Sequence, residues 1–197
     1  MSIKKGNLVQ FFGYATRGVK GFRDDSVKLH LALFNEYASQ CDVVTELGID
    51  SANATLAFLN SGCKKLYSYN VNISPNALKV KEAADKDGVF FKIIRKDSLK
   101  VKIKITDLLY IDTDHWYGQI KAELEHHHKR VRKWIMMHDT ETFGLFNPFD
   151  NRPGMKPAIY EFLDTHEEWD IKEEIKEGHG LTILERKIPL KKTWLFW

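Results

Sequence analysis

Only two cysteines occur in the 197 residues, Cys41 and Cys63. Two are too few for a disulfide framework and they lack partners at zinc-ligand spacing, so buried free thiols are expected. No run of about 18 apolar residues exists, which excludes a membrane-spanning helix as an expectation. The opening MSIKKGNLVQFFGYATRG has neither the apolar stretch nor the small-residue cleavage site of a signal peptide, so a soluble cytoplasmic protein is expected, with no membrane partner. Charge of one sign is also missing: 30 Lys and Arg stand against 27 Asp and Glu, a net +3. Without a long basic block, nucleic acid is not an expected partner. Repeats and low-complexity tracts do not occur. Glycine is scarce where a dinucleotide loop needs it, and the lack of any GxGxxG disfavours a nicotinamide-dependent dehydrogenase.

What is present is a 43% apolar composition, enough for one sizeable core in one domain spanning 1–197. An N-terminal extension and helix are expected over 1–40, the core over 41–187 and an apolar tail over 188–197. Val27, Leu31, Phe34 and Ala38 fall at helical spacing, which predicts a helix over 25–39. Strands are expected over 42–48, 64–71, 89–95, 106–112 and 133–139, and helices over 51–62, 74–88, 116–131 and 156–169. Pro75 suits the first turn of its helix, and Gly62 and Gly88 suit the positions past two helix ends. Residues 170–187 read as an antiparallel hairpin turning at 178–180. Near-continuous apolar strands separated by helices predict a mostly parallel seven-stranded sheet covered on both faces, an α/β three-layer sandwich.

In such a sheet ligands bind beyond the carboxyl ends of the strands. Those ends read Glu46-Leu47-Gly48, Tyr69-Asn70, Asp97-Ser98, Asp112-Thr113-Asp114-His115 and His138-Asp139-Thr140. An unpaired buried charge is costly. One such acid is accounted for by capping the next helix; acids at four of five ends point to a ligand site. After Asp139 comes TETFGLFNPFDNRPGM, a loop long enough to be a lid. Its Phe143, Phe146 and Phe149 fit either an acceptor wall or the packing of the loop itself. EHHHKR (125–130) reads as a solvated helix face, and KVKIKI (100–105) as an exposed extended segment.

The stretches TELGIDSANATLAFL, DLLYIDTDHWYGQIKAELE, WIMMHDTETFG and PAIYEFLDTHEEW followed by GLTILERK resemble class I S-adenosylmethionine-dependent methyltransferases, over roughly residues 40–187. Within them the sequence is similar to small-molecule O-methyltransferases of the macrocin O-methyltransferase and cephalosporin hydroxylase type. The resemblance implies a Rossmann-like fold and S-adenosylmethionine as cofactor. It places Glu46, Gly48 and the backbone at Ser51 to Asn53 at the amino-acid end of the cofactor, Asn70 at the ribose, and Asp97 and Ser98 at the adenine. Metal-dependent relatives imply a divalent ion, such as Mg2+, at Asp112 and Asp139, with His138 beside them, and a catalytic base at His115 acting with Asp112. The implied partner is a small acceptor methylated on oxygen, with sugar-containing molecules among the candidates.

Two departures stand out. Ala52 takes the place of a second glycine, and Asn70 replaces the family's ribose acid. They motivate an alternative, a catalytically inactive Rossmann-like binding or assembly subunit with a degenerate cofactor site. The apolar TWLFW at 193–197 suggests docking on the domain or on a second copy, a homo-oligomer.

Overall fold

The protein is described by a computed structural model covering residues 7–17 and 25–190. Its elements are α1 (Asn7–Arg17), α2 (Asp25–Lys28), α3 (Leu31–Ala38), β1 (Val43–Leu47), α4 (Asn53–Asn60), β2 (Lys65–Asn70), α5 (Pro75–Lys86) and β3 (Phe91–Arg95), followed by β4 (Thr106–Ile111), α6 (Tyr117–His127), β5 (Val131–His138), α7 (Met155–Thr165), β6 (Trp169–Ile175) and β7 (Leu181–Arg186). The seven strands form one sheet in the order β3-β2-β1-β4-β5-β7-β6. β1 to β5 pair in parallel, while β7 runs antiparallel between β5 and β6. This is the mostly parallel seven-stranded Rossmann-like sandwich with its C-terminal hairpin that the strand pattern predicts.

The period of two along each strand divides the core into two layers. Leu108 and Tyr110 of β4 join Phe34 and Phe58 on one face, and Leu109 and Ile111 join Ile120, Leu124 and Ile159 on the other. Local rules set most helix ends. Ser74 caps α5 by accepting from Ala77 N at 3.1 Å, Pro75 opens that helix, and Gly88 follows it at φ +71°. Cys41 and Cys63 are free and buried, as expected. Among the described residues no helix is long and apolar enough to cross a membrane. The TWLFW segment lies outside the described residues.

Several local expectations are corrected. The helix expected over 25–39 is two, α2 and α3, broken where His30 turns inward and its Nε2 donates to Glu177 O at 3.0 Å. The 125–130 stretch is a solvated face only in part: Glu125, His126 and Lys129 are exposed. His127 and His128 are buried, His127 Nε2 donating to Ser98 O at 3.0 Å and His128 packing on Phe162 and His166, and residues 128–130 form a 3-10 turn leading into β5. Over 100–105 the chain is extended but half inserted: Val101 and Ile103 are buried while Lys100, Lys102 and Lys104 face outward. The 140–155 segment is folded on itself, with Met155 N donating to Phe143 O at 2.8 Å and Asn147 N to Arg152 O at 2.8 Å.

Gly48, just past the end of β1, lies against the backbone of Asp112, just past the end of β4. It has φ +90°, and a Cβ there would lie 1.8 Å from Asp112 O. The departure at Ala52 also has a geometric cost, because its φ is +65°. A left-handed residue with a Cβ costs about 1–2 kcal/mol, offset in part by burial of the Ala52 methyl at 3% exposure. Gly48→Ala is expected to lower stability by about 2–5 kcal/mol, combining overpacking with left-handed strain. Urea denaturation measures it.

Candidate active site

Strand order reverses between β1 and β4, and the loops beyond these two strands diverge into neighbouring cavities. The first, of about 490 Å3, is lined by Gly48, Asn70, Asp97, Ser98 and Asp112, joined by Asp50, Thr113 and Gln119. The second, of about 450 Å3, is lined by Ser51, Asp112, His115, His138 and Asp139, with Ser26, Asp50 and Thr113. A space of about 30 Å3 between them touches Glu46, Gly48, Ser51, Ala52, Asn53 and Asp112. Asp50 and Asp112 line all three. The eleven site residues that the family resemblance implies each line at least one of these neighbouring spaces.

At the first cavity the polar groups hold one another. Asn70 Nδ2 donates to Ile49 O at 2.7 Å, and Asn70 Oδ1 accepts from Val71 N at 2.9 Å. The amide ties the β1 loop to the end of β2, a task that needs a donor and that a carboxylate could not perform. Asp97 accepts from Leu99 N at 3.0 Å, a bond that holds its carboxyl below the usual range. Ser98 and Gln119 are joined at 3.3 Å, and Gln119 Nε2 donates to Glu123 Oε1 at 2.9 Å. Glu123, fully buried, also accepts from Thr113 at 2.8 Å. Sequence reasoning missed Glu123, although its place three residues after Ile120 on the buried stripe of α6 was a usable signal.

The second cavity gathers carboxylates and imidazoles. Asp112 accepts from Tyr110 Oη at 3.0 Å and from His115 Nε2 at 3.1 Å, and that nitrogen lies 3.4 Å from Asp139 Oδ2. Burial lowers the His115 pKa, yet the bond to Asp112 and the two carboxylate charges outweigh it and raise the pKa above its ordinary value. Burial likewise raises Asp112, and His115 and His138 reverse the effect, leaving its carboxyl below the usual range. The Phe143 ring stacks on His115 at 4.7 Å, while Phe146 and Phe149 are exposed, so one of the three loop phenylalanines packs against a residue of the cavity.

A histidine chain fixes a tautomer. Because Glu177 O can only accept, His30 Nε2 carries the proton, and the neutral ring offers Nδ1 as an acceptor to His138 Nε2 at 3.2 Å. His138 Nδ1 in turn lies 2.9 Å from Asp139 Oδ1. Asp139 Oδ1 is buried and makes no hydrogen bond, and Asp139 has φ +62°, a strained conformation of the kind found at functional sites. Asp112, His138 and Asp139 each present a ligand atom within 4.8 Å of the others. His30 was invisible to sequence reasoning, since 108 residues separate it from His138.

No protein-family model matches the chain, and no curated protein does. Solved structures do. An O-methyltransferase from Bacillus cereus in complex with S-adenosylhomocysteine superposes with TM-score 0.66 at 14% identity, covering 94% of this chain and 93% of that one. The 1,6-didemethyltoxoflavin-N1-methyltransferase of Burkholderia thailandensis gives 0.63 at 11% identity, covering 92% and 87%. The N-methyltransferase NodS of Bradyrhizobium japonicum gives 0.60 at 13%, covering 83% and 97%. This chain has a methyltransferase fold. The neighbours act on oxygen and on nitrogen, so the methyltransferase fold leaves the acceptor atom open.

Glu46 differs from its companions. It is fully buried beneath the crevice, accepting from Thr55 Oγ1 at 2.9 Å and from Ser68 Oγ, and burial pushes its pKa up to about 8. Since the folded pKa exceeds the ordinary 4.5, the group's stabilising contribution is complete below about 4.5 and is lost as pH rises through about 8. Glu46→Gln keeps the shape without the titration. The stability difference between wild type and E46Q, from denaturant melts, should shift in favour of E46Q between pH 5 and pH 9.

Proposed function

We propose that this protein transfers the methyl group of S-adenosylmethionine to an oxygen of a small-molecule acceptor. The observation that carries the reading is the shared wall: Asp50, Asp112 and Thr113 line both large cavities. A donor in the first and an acceptor in the second would meet at Asp112. The first cavity offers Asp97 and Ser98 to an adenine and the β2 end to a ribose, while the turn at Gly48 and the N-terminus of α4 face the amino-acid portion of the cofactor.

The methyl passes in line from sulfonium to acceptor oxygen; a C–O bond forms as the C–S bond breaks and leaves a thioether. Most of the rate comes from holding two reactants at contact distance in that line. The acceptor proton goes to His115, whose Nε2 is positioned by Asp112 and whose ring face is covered by Phe143. The donor set of two carboxylates and one imidazole, with the orphaned Asp139 Oδ1, fits a divalent cation held by Asp112, Asp139 and His138. Such an ion would supply orientation and acidification of the acceptor hydroxyl.

Calorimetry with S-adenosylhomocysteine is expected to give one site of micromolar affinity, and no binding at millimolar ligand would overturn the reading in favour of an inactive binding or assembly subunit. With methyl-labelled S-adenosylmethionine and a small-molecule extract, His115→Ala is expected to lower label transfer by about 10²–10⁴-fold. Affinity for S-adenosylhomocysteine should stay within about twofold, since the donor cavity does not include His115. Equal loss of binding and transfer would remove His115 from the base role.

A further inference from the structure

A second cluster lies at the other end of the sheet. α6 ends at His127, and His128 opens the short turn that leads into β5 at Val131, whereas the candidate active site sits at the other end of β5, around His138. Eight residues of strand separate the two by roughly 25 Å. Here Glu125 on α6, His128 in the following turn and His166 at the end of α7 each present one ligand atom within 4.8 Å of the others. We propose that these three side chains bind one divalent transition-metal ion of the zinc or nickel type, clamping α6 to α7. The inference is independent of the methyl-transfer reading.

Two features of the histidines support it. His128 is 1% exposed, yet neither of its ring nitrogens makes a hydrogen bond. An imidazole so placed leaves desolvated polar atoms uncompensated, which a bound ion would satisfy. Its Nδ1 lies 3.4 Å from Glu168 Oε1, a carboxylate anchored near Arg186 and suited to orienting the ring rather than to binding metal.

His166 is oriented already. Its Nδ1 donates to Phe162 O at 2.8 Å, which fixes the lone pair on Nε2, and that atom faces Glu125 Oε2 at 3.7 Å. Two acceptors face each other across a gap of the size a cation fills. Ligands on a tetrahedral ion with bonds of about 2.1 Å lie roughly 3.4 Å apart, so a modest closure suffices. Glu125, with 48% of its side chain exposed, is free to swing in. Two imidazoles and one carboxylate favour zinc, nickel or copper over magnesium, and a fourth position is left for water.

The test uses the full chain, freed of any histidine tag and stripped with chelator, titrated with ZnCl2 in a calorimeter. An Asp112→Asn/Asp139→Asn double variant removes the other cluster, and in this background one zinc per chain is expected at micromolar or tighter affinity. Bound zinc should raise the melting temperature by on the order of 5 °C. His166→Ala and the exposed Glu125→Gln, each added to that background, are expected to weaken zinc at least tenfold while S-adenosylhomocysteine affinity matches that of the parent double variant. No zinc binding in the double variant, or zinc binding unchanged by His166→Ala, would overturn the proposal.

Discussion

The contact between Gly48 and the carbonyl of Asp112 is the constraint on which the rest of the site depends. Two parallel strands end side by side, and the chain beyond β1 must turn away at once so that its next helix can cover the sheet. Only a residue with no Cβ fits against that carbonyl at φ +90°. The hydrogen bonds on either side, Gly48 N to Tyr69 O at 2.9 Å and Asp112 N to Leu47 O at 2.8 Å, lock the three strand ends in one plane. From that junction the β1 loop and the β4 loop diverge, and the two cavities lie on opposite sides of the divergence.

Around the junction, charge is managed by mutual satisfaction. Asp112 sits among Tyr110, His115 and His138, and the imidazoles stabilise a carboxylate that burial alone would protonate. Glu46, one strand-turn earlier, has only neutral hydroxyl donors in Thr55 and Ser68, and its pKa rises instead. The two acids belong to adjacent strands, and their environments drive them in opposite directions. The difference lies in the partners, since imidazoles favour the charged form of a carboxyl and burial among hydroxyls favours the neutral one.

The order of strands and helices was legible because each element carried its own periodicity and its own stop signal. Pro75, Gly62 and Gly88 marked helix limits that local sterics enforce regardless of the surroundings. The strand ends also named most of the crevice, since topology delivers them to one edge of a parallel sheet. Asn70 was harder. Its residue type alone reads as a lost ribose acid, whereas its contacts with Ile49 and Val71 give it a loop-closing task. His127 and His128 were misread for a similar reason: helical spacing gives a face but does not say where a neighbouring helix will end against it.

By itself, the sequence determined the α/β alternation, the single glycine turn and the acids at the strand ends, because these follow from steric rules and short-range periodicity. The tertiary structure alone decided which polar groups meet. His30 reaches His138 across 108 residues, Glu46 turns inward to Ser68, and His128 finds His166 on a different helix. Those pairings depend on how the layers close over the sheet, and no local pattern encodes the distance between side chains that packing brings together.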